Sequence, residues 1–345
     1  MNNAVGIVAN PVSARDIRRL ITNASSLQVA DRANIVMRLL ASMAAVGVKD
    51  VVMMPDTGGV RGHVQRGLTR EQNAGETVFP ELQFLEMPVY SSVEDTLSAV
   101  RKMVELGVSA IVVLGGDGTH RAVASECKNI PIAGLSTGTN NAFPDYREPT
   151  ITGLATGLYV TNQLSQEDAC ASNKMLDISI NHGEQNEIAL VDVAITTDRY
   201  IGARALWRTD TFRELYVTYG EPHGTGMSSI AGLIEPVSRR DPHGLLVELG
   251  AENDCERSLK APIAPGLMSS IGIKNVEKIT HDKTYTPSTE AGSIALDGER
   301  EIEFSEKDHI EITLQPNAFY TIDVERAMAT AARDQLLVSN AINTQ

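Results

Sequence analysis

Gly115-Gly116-Asp117-Gly118-Thr119 is the segment whose residue types and spacing bear most directly on chemistry. Glycines at 115, 116 and 118 let the backbone approach an anion with no Cβ in the way. Thr119 is placed to cap a helix or to bond a phosphate oxygen. Asp117 is the odd member, because a carboxylate beside phosphates repels them. It makes sense if it carries a magnesium ion or accepts a proton from an attacking hydroxyl. The plain alternative is a tight strand-to-helix turn with a capping threonine. Other phosphate motifs fail: no Gly-Lys-Ser/Thr follows, and Arg121 replaces the third glycine of a dinucleotide fingerprint.

A second polar cluster follows in Gly134-Leu-Ser-Thr-Gly-Thr-Asn-Asn141. Ser136, Thr137, Gly138, Thr139, Asn140 and Asn141 offer hydroxyls, amides and bare backbone that could grip ribose, phosphate or nicotinamide groups. An ordinary polar connection is the competing reading.

These two loops need elements to hold them. Residues 5–9, 50–54, 82–86, 110–114 and 131–135 are short apolar runs that read as buried strands. Between them lie helical patterns. Residues 34–46 place Val36, Leu39, Leu40, Met43 and Val46 on one face and end at Gly47. Residues 91–106 begin with a capping box of Ser91 and Glu94, put Val93, Leu97, Val100 and Val104 on one face, and close at Gly107. Strand–helix alternation predicts a parallel sheet covered on both faces, with ligands beyond the carboxyl ends of its strands. Both polar loops follow strands, so both belong at that edge, and the glycine loop feeds a helix whose N-terminus favours phosphate.

After about residue 165 the pattern changes to strands separated by turn signals such as Asn181-His182-Gly183 and Asp297-Gly298, so a mostly antiparallel β region is expected. Residues 324–338 are Ala-rich and helical. The expected division is an α/β domain over 1–150, a β-rich domain over 151–322, and a carboxy-terminal helix over 323–345 that packs back on the first domain. The length of 345 residues suits two cores rather than one.

Composition excludes several functions. The net charge of −14 disfavours nucleic acid and anionic membrane surfaces, whose affinity depends on neutralising phosphates. Aromatics at 4% leave little for base stacking. A small anion remains compatible, because a local nest of N–H groups binds phosphate whatever the net charge. Cys127, Cys170 and Cys255 form neither a disulfide framework nor a zinc spacing, and no two histidines share ligand spacing on one helix, so no dedicated protein metal site is expected. No signal peptide and no run approaching a membrane span is evident. A cytoplasmic homo-oligomer without nucleic acid or stable membrane association is the expectation.

The glycine loop, together with Gly138-Thr-Asn-Asn-Ala-Phe-Pro144, resembles the superfamily that joins NAD kinases with diacylglycerol and sphingosine kinases. Asn10-Pro11-Val12-Ser13 resembles its Asn-Pro element, and Ile294-Ala-Leu-Asp-Gly-Glu299 its Asp-Gly element. The second loop and the chain length most resemble the acetoin catabolism protein X group, described as ATP–NAD-kinase-like proteins of bacterial acetoin-degradation operons. The resemblance implies an NAD-kinase-like fold, ATP with Mg2+, and NAD as substrate or ligand. It implies a phosphotransferase acting on a hydroxyl of NAD or a related small molecule, with Asp117 as catalytic residue. It implies nucleotide or phosphate binding by Gly115, Gly116, Gly118, Thr119, Thr137, Gly138, Thr139, Asn140 and Asn141. A non-catalytic, NAD-sensing regulatory protein is the alternative, and a lipid kinase is a third.

This sequence departs from the superfamily where NAD is read. The Asn-Glu pair of NAD kinases is matched by Val191-Asp192, and their Gly-Ser-Thr-Ala segment by Met227-Ser228-Ser229-Ile-Ala-Gly232. Asp192, Ser228, Ser229 and Asp297 are therefore the substrate-side candidates. Asp297-Gly298 also reads as a hairpin turn, and Asp192 as a solvent-facing or salt-bridged acid. Arg199, Arg204 and Arg208 near Tyr200 and Trp207 read as a solvated helix face. His223 and His243 read as turn punctuation. His120, directly after the glycine loop, is the better histidine candidate, with a half-buried helix position as its alternative.

Overall fold

The computed structural model describes residues 3–11, 27–75, 78–138, 141–201, 206 and 209–339. The first five apolar runs form strands β1 (Ala4–Val8), β2 (Asp50–Met53), β3 (Glu81–Phe84), β4 (Ala110–Gly115) and β5 (Ile132–Ser136). They pair in parallel. Helices α1 (Val29–Ala45), α2 (Val60–Ala74), α3 (Val93–Leu106), α4 (Asp117–Ala124) and α5 (Pro149–Val160) connect or cover them.

The later elements are α6 (Gln166–Ala169), β6 (Cys170–Ile180), β7 (Gln185–Ala189), β8 (Asp192–Thr196), β9 (Phe212–Val217), α7 (Ser228–Ile234) and β10 (Gly244–Gly250). They continue with β11 (Arg257–Ala264), β12 (Leu267–Ile279), β13 (Thr284–Tyr285), β14 (Gly292–Leu296), β15 (Glu299–Phe304), β16 (Ile310–Ile322) and α8 (Val324–Arg333). The first sheet runs β3-β2-β1-β4-β5-β16-β6-β7, with β13 on β16. It takes strands from both halves of the chain: β16 meets β5 at Thr321 and Ile132, and pairs antiparallel with β6 along most of its length. The second sheet, β11-β12-β10-β9-β8-β14-β15, is antiparallel throughout. The chain is thus a parallel α/β sheet followed by a β-rich part.

Alternation along the strands sends side chains to opposite faces. Val5, Ile7, Val112, Leu114 and Leu135 pack under α1, α5 and α8, where Ala327 and Ala331 enter the same core. Val8, Ile111, Val113 and Ile132 pack on the other face against Val100 and Met103 of α3 and Val123 of α4. Leu176, Ile178, Ile312 and Leu314 of the first sheet meet Val193, Ile195, Ile294 and Leu296 of the second. Removing a branched core side chain of this kind costs about 2–5 kcal/mol.

One local expectation is corrected. The cap of α3 is Ser92 with Asp95 at the third position, not Ser91 with Glu94. Asp95 accepts from the Tyr90 and Ser92 N–H groups, so its carboxylate closes the turn that Glu94 leaves to solvent. The buried face is Thr96, Ala99, Val100 and Met103, and Val93 is exposed. Met103 lies over Gly6 of β1, where a Cβ would meet its sulfur, and Val104 packs partly buried against the same core.

Candidate nucleotide-phosphate site

The order β3-β2-β1-β4-β5 reverses between β1 and β4, and an open parallel sheet binds ligands beyond its strand ends at such a reversal. Asn10 and Pro11 leave β1 there, Gly116 and Asp117 leave β4, and Thr137 and Gly138 leave β5. Asn10 is buried and knits the rim: its Nδ2 donates to Ser92 O at 2.9 Å and to Thr96 Oγ1 at 3.1 Å, and its carbonyl accepts from Arg32 at 3.2 Å.

The two polar loops cross at glycines. Thr137 N–H donates to Gly115 O at 3.1 Å. A Cβ on Gly138 would lie 2.9 Å from Gly116 Cα, and one on Gly116 would lie 2.7 Å from Asn141 Oδ1. Asn141 in turn donates to Ser136 Oγ at 2.7 Å, which fixes the side chain that fills the crossing. Gly118 differs. It is exposed, and a Cβ there meets no atom of the described residues within 4 Å, so they leave the helix start open on this side.

Asp117 opens α4, and its carboxylate is buried against the second loop. Ala142 N–H donates to Oδ1 and Oδ2 at 3.1 and 3.0 Å, and Phe143 N–H donates to Oδ1 at 2.9 Å. The carboxylate is therefore the tie that positions the second loop against the glycine loop. Ala142 is held on its other side too, its carbonyl accepting from Tyr219 Oη at 2.9 Å and Arg239 Nη2 at 3.0 Å. Arg239 stacks over Tyr219 at 4.5 Å and Phe143 at 5.4 Å, and approaches Asp145 to 3.5 Å. Burial works against its charge, but Tyr219, Asp145, Glu221 and Asp117 hold its pKa above the ordinary value. Burial likewise raises the Tyr219 phenol, so it serves as a neutral donor.

His120 is fully buried rather than half-buried. Its Nδ1 lies 2.9 Å from Gly116 O, so Nδ1 carries the proton and donates, while Nε2 has no hydrogen-bond partner among the described residues. Burial, and to a smaller degree Arg239, push its pKa down to about 4. A neutral imidazole wedged under the loop braces Gly116 and does no acid–base work near pH 7.

The second sheet supplies a matching tie. Asp297 and Gly298 form the two-residue turn of the β14–β15 hairpin, both with positive φ (50° and 81°), as the Asp-Gly signal predicts. The Asp297 carboxylate accepts from Leu190 at 3.0 Å, Val191 at 2.8 Å and Asp192 at 3.3 Å, all backbone N–H groups. Burial raises its pKa, against the opposing pull of Arg121 and those donors. Asp192 is buried rather than solvent-facing, and its carbonyl accepts from Asp297 N–H at 2.9 Å.

Gly115, Gly116, Asp117, Gly118, Thr119, Thr137, Gly138 and Asn141 thus lie together at the crossing. Thr137 Oγ1 is buried there with no hydrogen-bond partner among the described residues. Thr139 and Asn140 lie outside the described residues, as do Val12, Ser13, Arg204, Trp207 and Arg208. Arg199 and Tyr200 are exposed. Ser228 and Ser229 are buried at the start of α7, and Ser229 Oγ donates to Gly226 O at 2.6 Å. Sequence reasoning missed Tyr219 and Arg239. Nothing local marks either, because their partner, Ala142, is remote in the chain and offers only its backbone.

Two family models divide the chain between them. Residues 5–162 match the ATP-NAD kinase N-terminal domain, and residues 174–317 match the acetoin catabolism protein X C-terminal domain. Over 338 residues the chain is 53% identical to acetoin catabolism protein X of Cupriavidus necator, an overlap of 97% of this chain and 94% of the relative. The chain belongs to the acetoin catabolism protein X family. A putative diacylglycerol kinase from Bacillus anthracis str. Sterne is also similar, at 13% identity and a TM-score of 0.47 over 93% of this chain and 96% of that one. In this member of the acetoin catabolism protein X family, the seam between the two matches falls at α6 and the start of β6. The glycine loop lies on the kinase-like side, and Asp192, Asp297 and Arg239 lie on the other. No helix among the described residues is long and apolar enough to cross a membrane.

Proposed function

We propose that this protein is an ATP-dependent phosphotransferase that phosphorylates a hydroxyl of NAD or a related small molecule, in the acetoin catabolism to which its relative's name refers. The observation that carries the reading is the fixed Asp117 carboxylate at the crossing of two glycine loops, beside the open helix start at Gly118. The N–H groups that begin α4 bind the nucleotide phosphates, and Arg239 adds positive charge beside them. Asp117 accepts the acceptor hydroxyl's proton as the new O–P bond forms and the bond from the γ-phosphorus of ATP to its β–γ bridging oxygen breaks, with ADP as the leaving group. Most of the rate comes from alignment and charge neutralisation, since phosphoryl transfer needs little covalent help. The donor set, one carboxylate together with the nucleotide's own phosphates, fits magnesium, which keeps several waters and takes few protein ligands. Asp117 would hold it, and it would supply charge neutralisation on the phosphates.

A second reading is a nucleotide sensor without chemistry. It is favoured by the absence of the Asn-Glu pair and by the use of the Val191 and Asp192 N–H groups to hold Asp297. One experiment separates the two. Purified protein is incubated with Mg2+, NAD and either ATP or polyphosphate, NADP is assayed, and NAD binding is measured by calorimetry in parallel. NADP formation that Asp117→Asn abolishes supports the kinase. Tight NAD binding with no transfer from either donor supports the sensor. Failure of both, with turnover on diacylglycerol vesicles, points to a lipid kinase and overturns this proposal.

A further inference from the structure

Far from the glycine loops, the turn between β6 and β7 meets the start of β16. Asn181 N–H donates to His309 O at 2.8 Å, His309 N–H donates to Asn181 Oδ1 at 2.9 Å, and Asn181 Nδ2 donates to Asp308 Oδ1 at 3.0 Å. These bonds extend the β6–β16 ladder past its last pair, Ile180 with Ile310, and fix the two backbones against each other. Asn181 and His182 both have positive φ, 52° and 57°, and the His182 ring centroid lies 4.7 Å from that of His309. Glu311 is two residues beyond His309, hence on the same side of the strand, and its Oε1 lies 3.4 Å from His309 Nε2. Among the described residues, His182, His309 and Glu311 are the group of ligating side chains whose donor atoms gather within 4.8 Å of one another.

We infer that His182, His309 and Glu311 form a binding site for a divalent first-row transition metal of the zinc class, which clamps the β6–β7 turn to the start of β16. The inference is independent of the phosphotransfer reading. Two imidazoles and one carboxylate are a donor set that zinc takes with a fourth position left to water. Metal–ligand bonds of about 2.0–2.1 Å in a tetrahedron put ligand atoms about 3.3–3.4 Å apart. The separation between His309 Nε2 and Glu311 Oε1 is that length, and longer than a good hydrogen bond. The three donor atoms lie within 4.8 Å of one another, and His182 and His309 are exposed, so rotation of their side chains disturbs no packed core. Imidazole nitrogen selects against magnesium and calcium, which want oxygen ligands. A net charge of −14 favours a cation over the whole surface, so selectivity rests on the imidazoles.

The test uses untagged, chelator-treated protein titrated with Zn2+ against a chromophoric chelator, and with Co2+ followed by its visible absorption. One Zn2+ is expected per chain, with a Co2+ spectrum of low coordination number. Losing an outer-shell partner alone costs about 10–100-fold in affinity, so His182→Ala and His309→Ala should each cost at least that. Glu311→Gln should weaken binding less. His223→Ala, at an exposed histidine elsewhere, should leave it unchanged, and all variants should keep the wild-type melting temperature in chelator. Binding that survives in the His182→Ala/His309→Ala double variant, or wild-type protein that takes up no Zn2+, overturns the proposal.

Discussion

Arg121 lies one helical turn past Asp117, and its Nε comes within 4.0 Å of Asp297 Oδ2. The same guanidinium pairs with Glu301 on β15. The helix that begins at the glycine loop is therefore moored to the hairpin of the second sheet, across the seam between the two family matches. Both partners are largely buried: side-chain exposure is 13% for Arg121 and 1% for Asp297. Removing one member of a buried pair leaves an uncompensated charge and costs about 3–5 kcal/mol. Arg121→Met should therefore lower the urea midpoint with an unchanged slope. A double-mutant cycle with Asp297→Asn should show coupling, and strict additivity would mean that the pair contributes nothing.

In the proposed mechanism Asp117 does two jobs, so its substitutions should not behave as pure catalytic knock-outs. Asn keeps the size but turns an amide donor toward one of the two N–H groups that the carboxylate now accepts. Asp117→Asn should abolish turnover and also weaken nucleotide binding several-fold, by loosening the loop at Ala142 and Phe143. Asp117→Ala should weaken it further. Calorimetry with ATP and Mg2+ reads the binding effect. Wild-type affinity in both variants would show that the tie does not shape the site.

The glycines of the loop should separate by what surrounds them. Gly116→Ala puts a Cβ 2.7 Å from Asn141 Oδ1 at a packed crossing, and should cost stability. Overpacking of this kind costs about 1–3 kcal/mol. Gly118→Ala meets no atom of the described residues and lies in the first turn of α4, so thermal unfolding should be unchanged or slightly raised. It should still weaken ATP binding, because in the proposed site the added methyl occupies space through which a phosphate approaches. Equal affinity for ATP in Gly118→Ala would place the anion elsewhere.

The parallel strands and the glycine loop were legible in the sequence because each is a local pattern: an apolar run, a glycine cluster, a capping residue. All five strands fall within two residues of their expected bounds. The register of α3 was not legible, since Ser91 and Ser92, and Glu94 and Asp95, offer the same capping chemistry one residue apart. Asp297 was legible as a turn but not as a backbone tie, because its partners at Leu190 and Val191 are recognised only through their N–H groups. Arg239 and Tyr219 act on a carbonyl, which leaves no side-chain signature. The pairing of β16 with β5 and β6 is likewise a long-range choice that strand texture does not encode.

His120 gives the loop a pH signature of its own. Its folded pKa is pushed down to about 4 from 6.5, so between those values the unfolded chain binds a proton that the native state refuses. Stability from this residue is full above about pH 6.5 and falls as pH drops toward 4, because the unfolded state is then the one favoured by protonation. Below pH 4 the native imidazole also charges, and the difference stops growing. A gap of this size corresponds to about 3 kcal/mol over the window. Carboxylates contribute their own acid dependence, so the comparison must be with His120→Asn, whose amide can still donate to Gly116 O. That variant should be less stable than wild type at pH 8, and the difference should narrow as the pH falls to 4. Parallel stability curves across this range would mean that His120 is protonated in the native protein or reached by water. In either case it could not be the neutral brace beneath Gly116.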